Sequence, residues 1–232
     1  MSGNFQKPKA SVMFLGIVSI LLLLYAISLS GSPFFLRWFG ISKINGTLFF
    51  ITRMLYWLCV LLLWLYAIKV EKQKLLIWEE KKYRLLLYLL IIVLTLIIVF
   101  TGSLLIQKLL SLAHLSDKSS KLSEIVGIFR TNKFLLVFTA LTAGVTEELI
   151  LRGYLFTRLE AIFKSPVWAI IISSLLFGLL HYKYGTINNV IVPAFIGVVF
   201  SYHYWKYRNI KILIICHFLV DMISLLTLAN QK

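Results

Sequence analysis

The chain has 232 residues, of which 60% are hydrophobic and only 14% charged, with a formal charge of +15. A soluble domain carries roughly a quarter charged residues, so this composition excludes a water-soluble globule. Lys and Arg cluster in short connections between apolar runs, where lipid headgroups rather than nucleic acid are the anions they meet. Cys59 and Cys216 both fall within apolar runs and make no disulfide framework.

Seven apolar runs are long enough to cross about 30 Å of hydrocarbon as helices: 11–29, 47–70, 84–107, 134–163, 166–182, 187–205 and 209–229. The expected fold is all-α, a polytopic helical membrane bundle of about seven transmembrane helices in one membrane domain, with any active site within the bundle. The first run follows Lys7 and Lys9 and ends in Ser28-Leu29-Ser30-Gly31, a composition that suits a signal-peptide cleavage site. Its length favours a retained helix.

Residues 69–84 form a polar connection of mixed charge suited to the cytoplasmic surface. In the longer connection at 108–133, Leu122, Ile125, Val126 and Phe129 recur at helical spacing opposite Lys121, Glu124 and Arg130. That pattern fits a helix lying in the membrane interface, and a solvated loop with a chance period is the competing reading. Residues 1–133 thus read as N-terminal transmembrane helices plus an interfacial segment. The N-terminal tail and the connections on its side of the membrane hold more Lys and Arg than the other side, which places the N-terminus in the cytoplasm.

An ionisable side chain at the bilayer centre costs on the order of 3 kcal/mol or more, so such groups face a protein interior and mark function. Those well inside the apolar runs are Glu147, Glu148, Asp221, Arg53, Arg152, His181 and His217, with His203 near a run's end. Six of them form three short patterns. In Glu147-Glu148-x-x-x-Arg152, Glu148 and Arg152 share a helical face and can pair, whereas Glu147 is turned about 100° away. Glu147 is then free to act as a base, unless all three form one structural ion cluster. Phe177-x-x-x-His181 sets an aromatic ring one turn before an imidazole. Glu147 and His181 are equidistant in sequence from Lys164 in the tight Lys164-Ser165-Pro166 connection, so in an antiparallel hairpin they share a depth. The third pattern, His217-x-x-x-Asp221, suits a hydrogen-bonded pair or part of a zinc site. Arg53 reads as snorkelling to the surface or pairing with an acidic residue of the site, and His203, among aromatics, as part of an interfacial belt.

The motifs EELILR at 147–152, FGLLH at 177–181 and HFLVD at 217–221, with Gly153 after the arginine, resemble the CAAX protease and bacteriocin-processing (CPBP, or Abi) family of intramembrane proteases. The resemblance covers 134–229, which become the catalytic helices. It implies an intramembrane endopeptidase of a membrane-associated peptide or protein, in which Glu147 activates water and His181 assists. Glu148 and Arg152 match the supporting pair. His217 and the residue at 221 match the pair assigned to the oxyanion; Asp221 stands where the prenyl-protein members carry asparagine. An ionised aspartate cannot donate a hydrogen bond, so Asp221 is either protonated or orients His217, and orientation is the favoured role. By the resemblance no cofactor is required; if zinc is present, Glu147, His181 and His217 are its natural ligands.

The resemblance also suggests a bacterial cell-membrane protein, with a bacteriocin precursor, peptide pheromone or anchored surface protein as substrate. Two other classes compete: a non-catalytic membrane scaffold or bacteriocin self-immunity protein that keeps the polar cluster for structure, and a proton-coupled transporter using Glu147 and His181 as a relay.

Overall fold

The computed structural model describes residues 9–29, 37–38, 44–115 and 119–230. Ser30 and Gly31 of the small-residue stretch, and Lys7, Lys43, Lys118 and Lys232 of the charge bias, lie outside the described residues. With no water in hydrocarbon to satisfy backbone groups, an apolar run must close its own hydrogen bonds. The described residues accordingly form helices and no strand: α1 (Ala10–Leu29), α2 (Gly46–Tyr66, ending in a π turn at Ala67–Glu71), α3 (Leu85–Leu112), α4 (Ser120–Thr131), α5 (Lys133–Glu148), a π-helical stretch Leu149–Phe156 leading into α6 (Thr157–Phe163), α7 (Pro166–Leu180), α8 (Asn188–Tyr207) and α9 (Ile210–Asn230).

Six of these spans are long and apolar enough to cross a membrane: α1, α2 with its π turn, α3, α5 through α6, α7 continued to Tyr184, and α9. The chain is an integral, multi-pass membrane protein. The run expected at 187–205 does form a helix, α8, but it is not one of the six. Asn188 and Asn189 at its start, and His203 and Lys206 near its end, dilute its apolar character. It lies in the bundle all the same, as the antiparallel partner of α7. Gly178 faces Val190 and Ala194, Gly197 faces Ser174, and the Ser173 and Ser201 hydroxyls lie 3.1 Å apart. Small residues let two backbones approach where no hydrophobic force drives helices together.

Local sequence sets the helix ends. The side chains of Asn45, Ser119 and Asn132 accept hydrogen bonds from the backbone N–H groups of Leu48, Leu122 and Leu135, capping α2, α4 and α5. Pro166 opens α7. The helix read at 108–133 is α4, which buries Ile125, Val126 and Phe129, with Phe129 edge-on to Phe49.

The connection at 72–84 is strapped onto the end of the bundle rather than simply bathed in solvent. The Arg158 guanidinium reaches Glu71 at 2.8 Å and the carbonyls of Lys74 and Leu75, while the Tyr154 hydroxyl donates to Glu71. Glu71 and Arg158 are 2% and 1% exposed, a buried pair that the sequence places among polar connections. Further on, Trp78 stacks on Tyr204, and the Glu80 carboxylate accepts the Ile210 N–H at the start of α9. One apolar cluster runs through the bundle and takes residues from both halves of the chain, among them Ile17, Tyr56, Ile92, Leu151, Phe177 and Cys216.

Candidate active site

Glu147 and Glu148 end α5, just before the backbone widens into the π-helical stretch, whose residues Ile150–Phe156 are all buried. Such insertions recur at functional sites because they re-aim side chains within a continuous helix. The two neighbouring carboxylates meet different surroundings. Glu148 is fully buried, and its Oε1 accepts both Arg152 Nη1–H at 3.0 Å and His217 Nδ1–H at 2.6 Å. The Glu147 side chain keeps 19% exposure and lines a cavity of about 40 Å³ together with His181. That is room enough for water.

Arg152 is held over the rings of Phe177 and Phe200, 4.7 and 5.4 Å from their centroids, and Nη2 reaches the Gly197 carbonyl of α8. Its charge is thus balanced by Glu148 and by two aromatic faces. Phe177 also stands edge-on to His181, with centroids 4.8 Å apart. The one-turn spacing of Phe177 and His181 serves the imidazole in a second way. His181 Nδ1 lies 2.9 Å from the Phe177 carbonyl, which can only accept, so Nδ1 carries the proton and Nε2 is left for the cavity. The hairpin argument from Lys164 is met: Glu147 and His181 line the same cavity.

His217 enters from α9, where Gly144 of α5 faces the backbone of Ile214 and Phe218. Its Nε2 points into the site, 3.9 Å from Glu147 Oε2 and 3.8 Å from Asp221 Oδ2. The structure therefore brings Glu147, Glu148, Arg152, His181, His217 and Asp221 together, with one change to the favoured arrangement. The bond that orients His217 comes from Glu148, because Nδ1 faces α5. Asp221 stands beyond hydrogen-bond reach of Nε2, at ion-pair distance, with 30% of its side chain exposed.

Two further residues differ from expectation. Arg53 does not snorkel; it is 9% exposed, packed 4.7 and 4.8 Å from the rings of Phe49 and Tyr56, and it lines the Glu147 cavity. The flanking aromatics at four residues before and three after are the signal that could have placed it. His203 is buried rather than at an aromatic surface belt, with Nδ1 2.9 Å from Thr95 Oγ1, and it takes no part in the site. Lys183 joins the cavity from the turn after α7.

The donors named for zinc, Glu147, His181 and His217, come from one site, with His217 Nε2 3.9 Å from Glu147 Oε2. Among the described residues no group of three or more His, Cys, Asp or Glu is arranged to hold a metal ion.

A family model described as type II CAAX prenyl endopeptidase, Rce1-like, matches residues 129–223, about two fifths of the chain. The match agrees with the resemblance carried by the three motifs and contains all six residues of the cluster. No curated protein and no solved structure matches the chain.

Proposed function

We propose that this membrane protein, matched over 129–223 by the CAAX prenyl endopeptidase family, is an intramembrane endopeptidase that hydrolyses a peptide bond of a membrane-associated peptide or protein. The observation that carries the reading is the unequal fate of two adjacent glutamates. Glu148 is spent on Arg152 and His217, whereas Glu147 opens onto a cavity beside an imidazole nitrogen that accepts protons.

In this reading Glu147 takes a proton from a water in the cavity as the water oxygen bonds to the scissile carbonyl carbon. The carbonyl oxygen gains the negative charge. His217, protonated on both nitrogens, donates from Nε2, which faces Glu147 Oε2 at 3.9 Å, to that oxyanion. Asp221 supports the imidazolium by charge rather than by a hydrogen bond. When the C–N bond breaks, the proton held by Glu147 passes to the leaving amine, with His181 Nε2 as relay. Glu148 and Arg152 touch neither water nor peptide in this scheme; they hold His217 in place.

The protein groups supply every step, and no metal is placed in the scheme. The reading also carries the cytoplasmic N-terminus and bacterial cell-membrane origin as proposals, supported by the Lys and Arg distribution and the family resemblance. The test is cleavage of membrane peptides by the purified protein, with and without a strong chelator. Glu147→Gln should abolish cleavage and chelation should not. Retention of cleavage in Glu147→Gln would overturn the assignment, loss of parental cleavage on chelation would bring zinc into the site, and a biological phenotype intact in Glu147→Gln would favour the scaffold or immunity protein.

A further inference from the structure

Two connections lie side by side where α3 begins and α8 gives way to α9. The Lys81 N–H donates to the Arg208 carbonyl at 2.9 Å, and the Asn209 side-chain amide donates to the Lys81 carbonyl at 2.8 Å. The Tyr83 hydroxyl adds a third tie by donating to the Tyr207 carbonyl. These bonds gather the charges of EEKKYR, 79–84, and WKYRNIK, 205–211, on one edge of the bundle. Lys81, Lys82, Arg84, Lys206, Arg208 and Lys211 are all exposed, and no ion pair among the described residues includes any of them. The carboxylates of the two stretches are Glu79 and Glu80, and Glu80 already accepts the Ile210 N–H at 2.7 Å. So many like charges repel one another until an anion neutralises them.

The surroundings indicate which anion. Tyr202 and Trp205, on the last turns of α8, are 47% and 39% exposed, and such aromatic side chains settle at the level of lipid headgroups. Lys206 Nζ lies 5.9 Å from the Tyr202 ring centroid, so the cations share that level. Immediately next to Arg84, the first turns of α3 present Leu85, Leu86, Leu89 and Leu90, each half or more exposed. A phosphate held by the cations can therefore lay acyl chains along apolar side chains, which a soluble anion would leave uncovered. The Arg208 guanidinium is set in place beforehand, 4.8 Å from the Trp78 ring centroid.

We propose that the edge formed by 81–84 and 206–211 binds an anionic phospholipid, with the phosphate on Arg208, Lys81 and Arg84 and the acyl chains against the start of α3. Charge complementarity and the adjoining leucines set that chemistry, and the site is independent of what happens at Glu147. A lipid bound there clasps the strap to the α8–α9 turn from the outside, in addition to the three hydrogen bonds.

The test is thermal unfolding and native mass spectrometry of the full-length protein in neutral detergent, with phosphatidylglycerol, phosphatidylcholine or soluble glycerol phosphate added. Phosphatidylglycerol should raise the unfolding temperature and bind at least about tenfold more tightly than phosphatidylcholine. Lys82→Gln combined with Lys211→Gln, both at exposed positions, should weaken that binding by roughly tenfold. Lys81→Gln with Arg208→Gln should weaken it at least as much. Lys108→Gln with Lys133→Gln removes the same charge from the far end of α3 and the start of α5, and should leave the binding unchanged. Equal affinity for the two lipids overturns the site. So does an equal loss in the Lys108 and Lys133 variant and the Lys82 and Lys211 variant, since net charge alone would then govern binding. Stabilisation by glycerol phosphate as large as that by phosphatidylglycerol also overturns it, because the ligand would then be a soluble phosphate.

Discussion

His217 Nδ1 sits 2.6 Å from Glu148 Oε1, a carboxylate oxygen that Arg152 already holds at 3.0 Å. One oxygen thus couples α9 to the start of the π-helical stretch, and the imidazole that faces Glu147 is aimed by the neighbour of Glu147 in the chain. The two glutamates should therefore fail in different ways when altered.

Glu147→Gln removes the base and leaves every bond of Glu148 in place. Cleavage should fall by about 10²–10⁴-fold with little change in thermal unfolding. Glu148→Ala strands two buried cationic partners, and removing one member of a buried pair costs about 3–5 kcal/mol. That variant should lose both activity and stability, the latter read as a lower unfolding temperature in detergent. Equal stability losses in the two variants would contradict the division of roles.

The Glu71 and Arg158 pair offers a second test, remote from the chemistry. Arg158 also donates to the Lys74 and Leu75 carbonyls, so it pins the strap as well as balancing a charge. Arg158→Leu should cost about 3–5 kcal/mol by leaving Glu71 buried and unpaired. Adding Glu71→Leu should recover part of the loss, because two apolar side chains no longer need each other's charge. A double variant as unstable as the single one would show that the backbone contacts dominate.

These cases show what the sequence makes legible. Spacing along one helix is fixed by helical geometry, so the pairing of Glu148 with Arg152 and the edge-on contact of Phe177 with His181 follow from four-residue separations. The shared depth of Glu147 and His181 follows from a short connection. The Glu71–Arg158 contact joins residues 87 apart, and the Glu148–His217 contact residues 69 apart. Those depend on how each helix is rotated about its axis, which small residues at crossings decide and periodicity does not encode. For Arg53 the flanking Phe49 and Tyr56 point to a packed guanidinium, but only the rotation of α2 sets it against the Glu147 cavity.

Glu80 supplies a pH signature outside the membrane spans. Burial raises its carboxyl above the ordinary glutamate value, a shift opposed by the Ile210 N–H, the Tyr204 hydroxyl and Lys211. A carboxyl with a raised folded pKa binds its proton more tightly folded than unfolded. This group's contribution therefore becomes less favourable as pH rises from the unfolded glutamate range through the folded pKa, and is flat above it. Unfolding temperatures of wild type and Glu80→Gln, compared from roughly pH 4 to pH 7, should shift steadily in favour of the variant and then level off. A constant difference across that range would show that burial of Glu80 is relieved in solution.

Gly144 controls the crossing that brings His217 to Glu148. A Cβ added there would lie 3.0 Å from the Phe218 backbone nitrogen and 3.1 Å from the Ile214 carbonyl oxygen, both parts of α9 that cannot rotate aside. In Gly144→Ala the helices must therefore separate by a few tenths of an ångström, and in Gly144→Val by more. Because a hydrogen bond weakens steeply with length and angle, the Glu148–His217 contact should loosen before the fold does. Cleavage should drop in the order Gly, Ala, Val, with kcat falling more than KM rises, since His217 acts on the oxyanion and not on the bound peptide. A rise in KM alone would mean that the crossing shapes the peptide's path rather than the aim of His217.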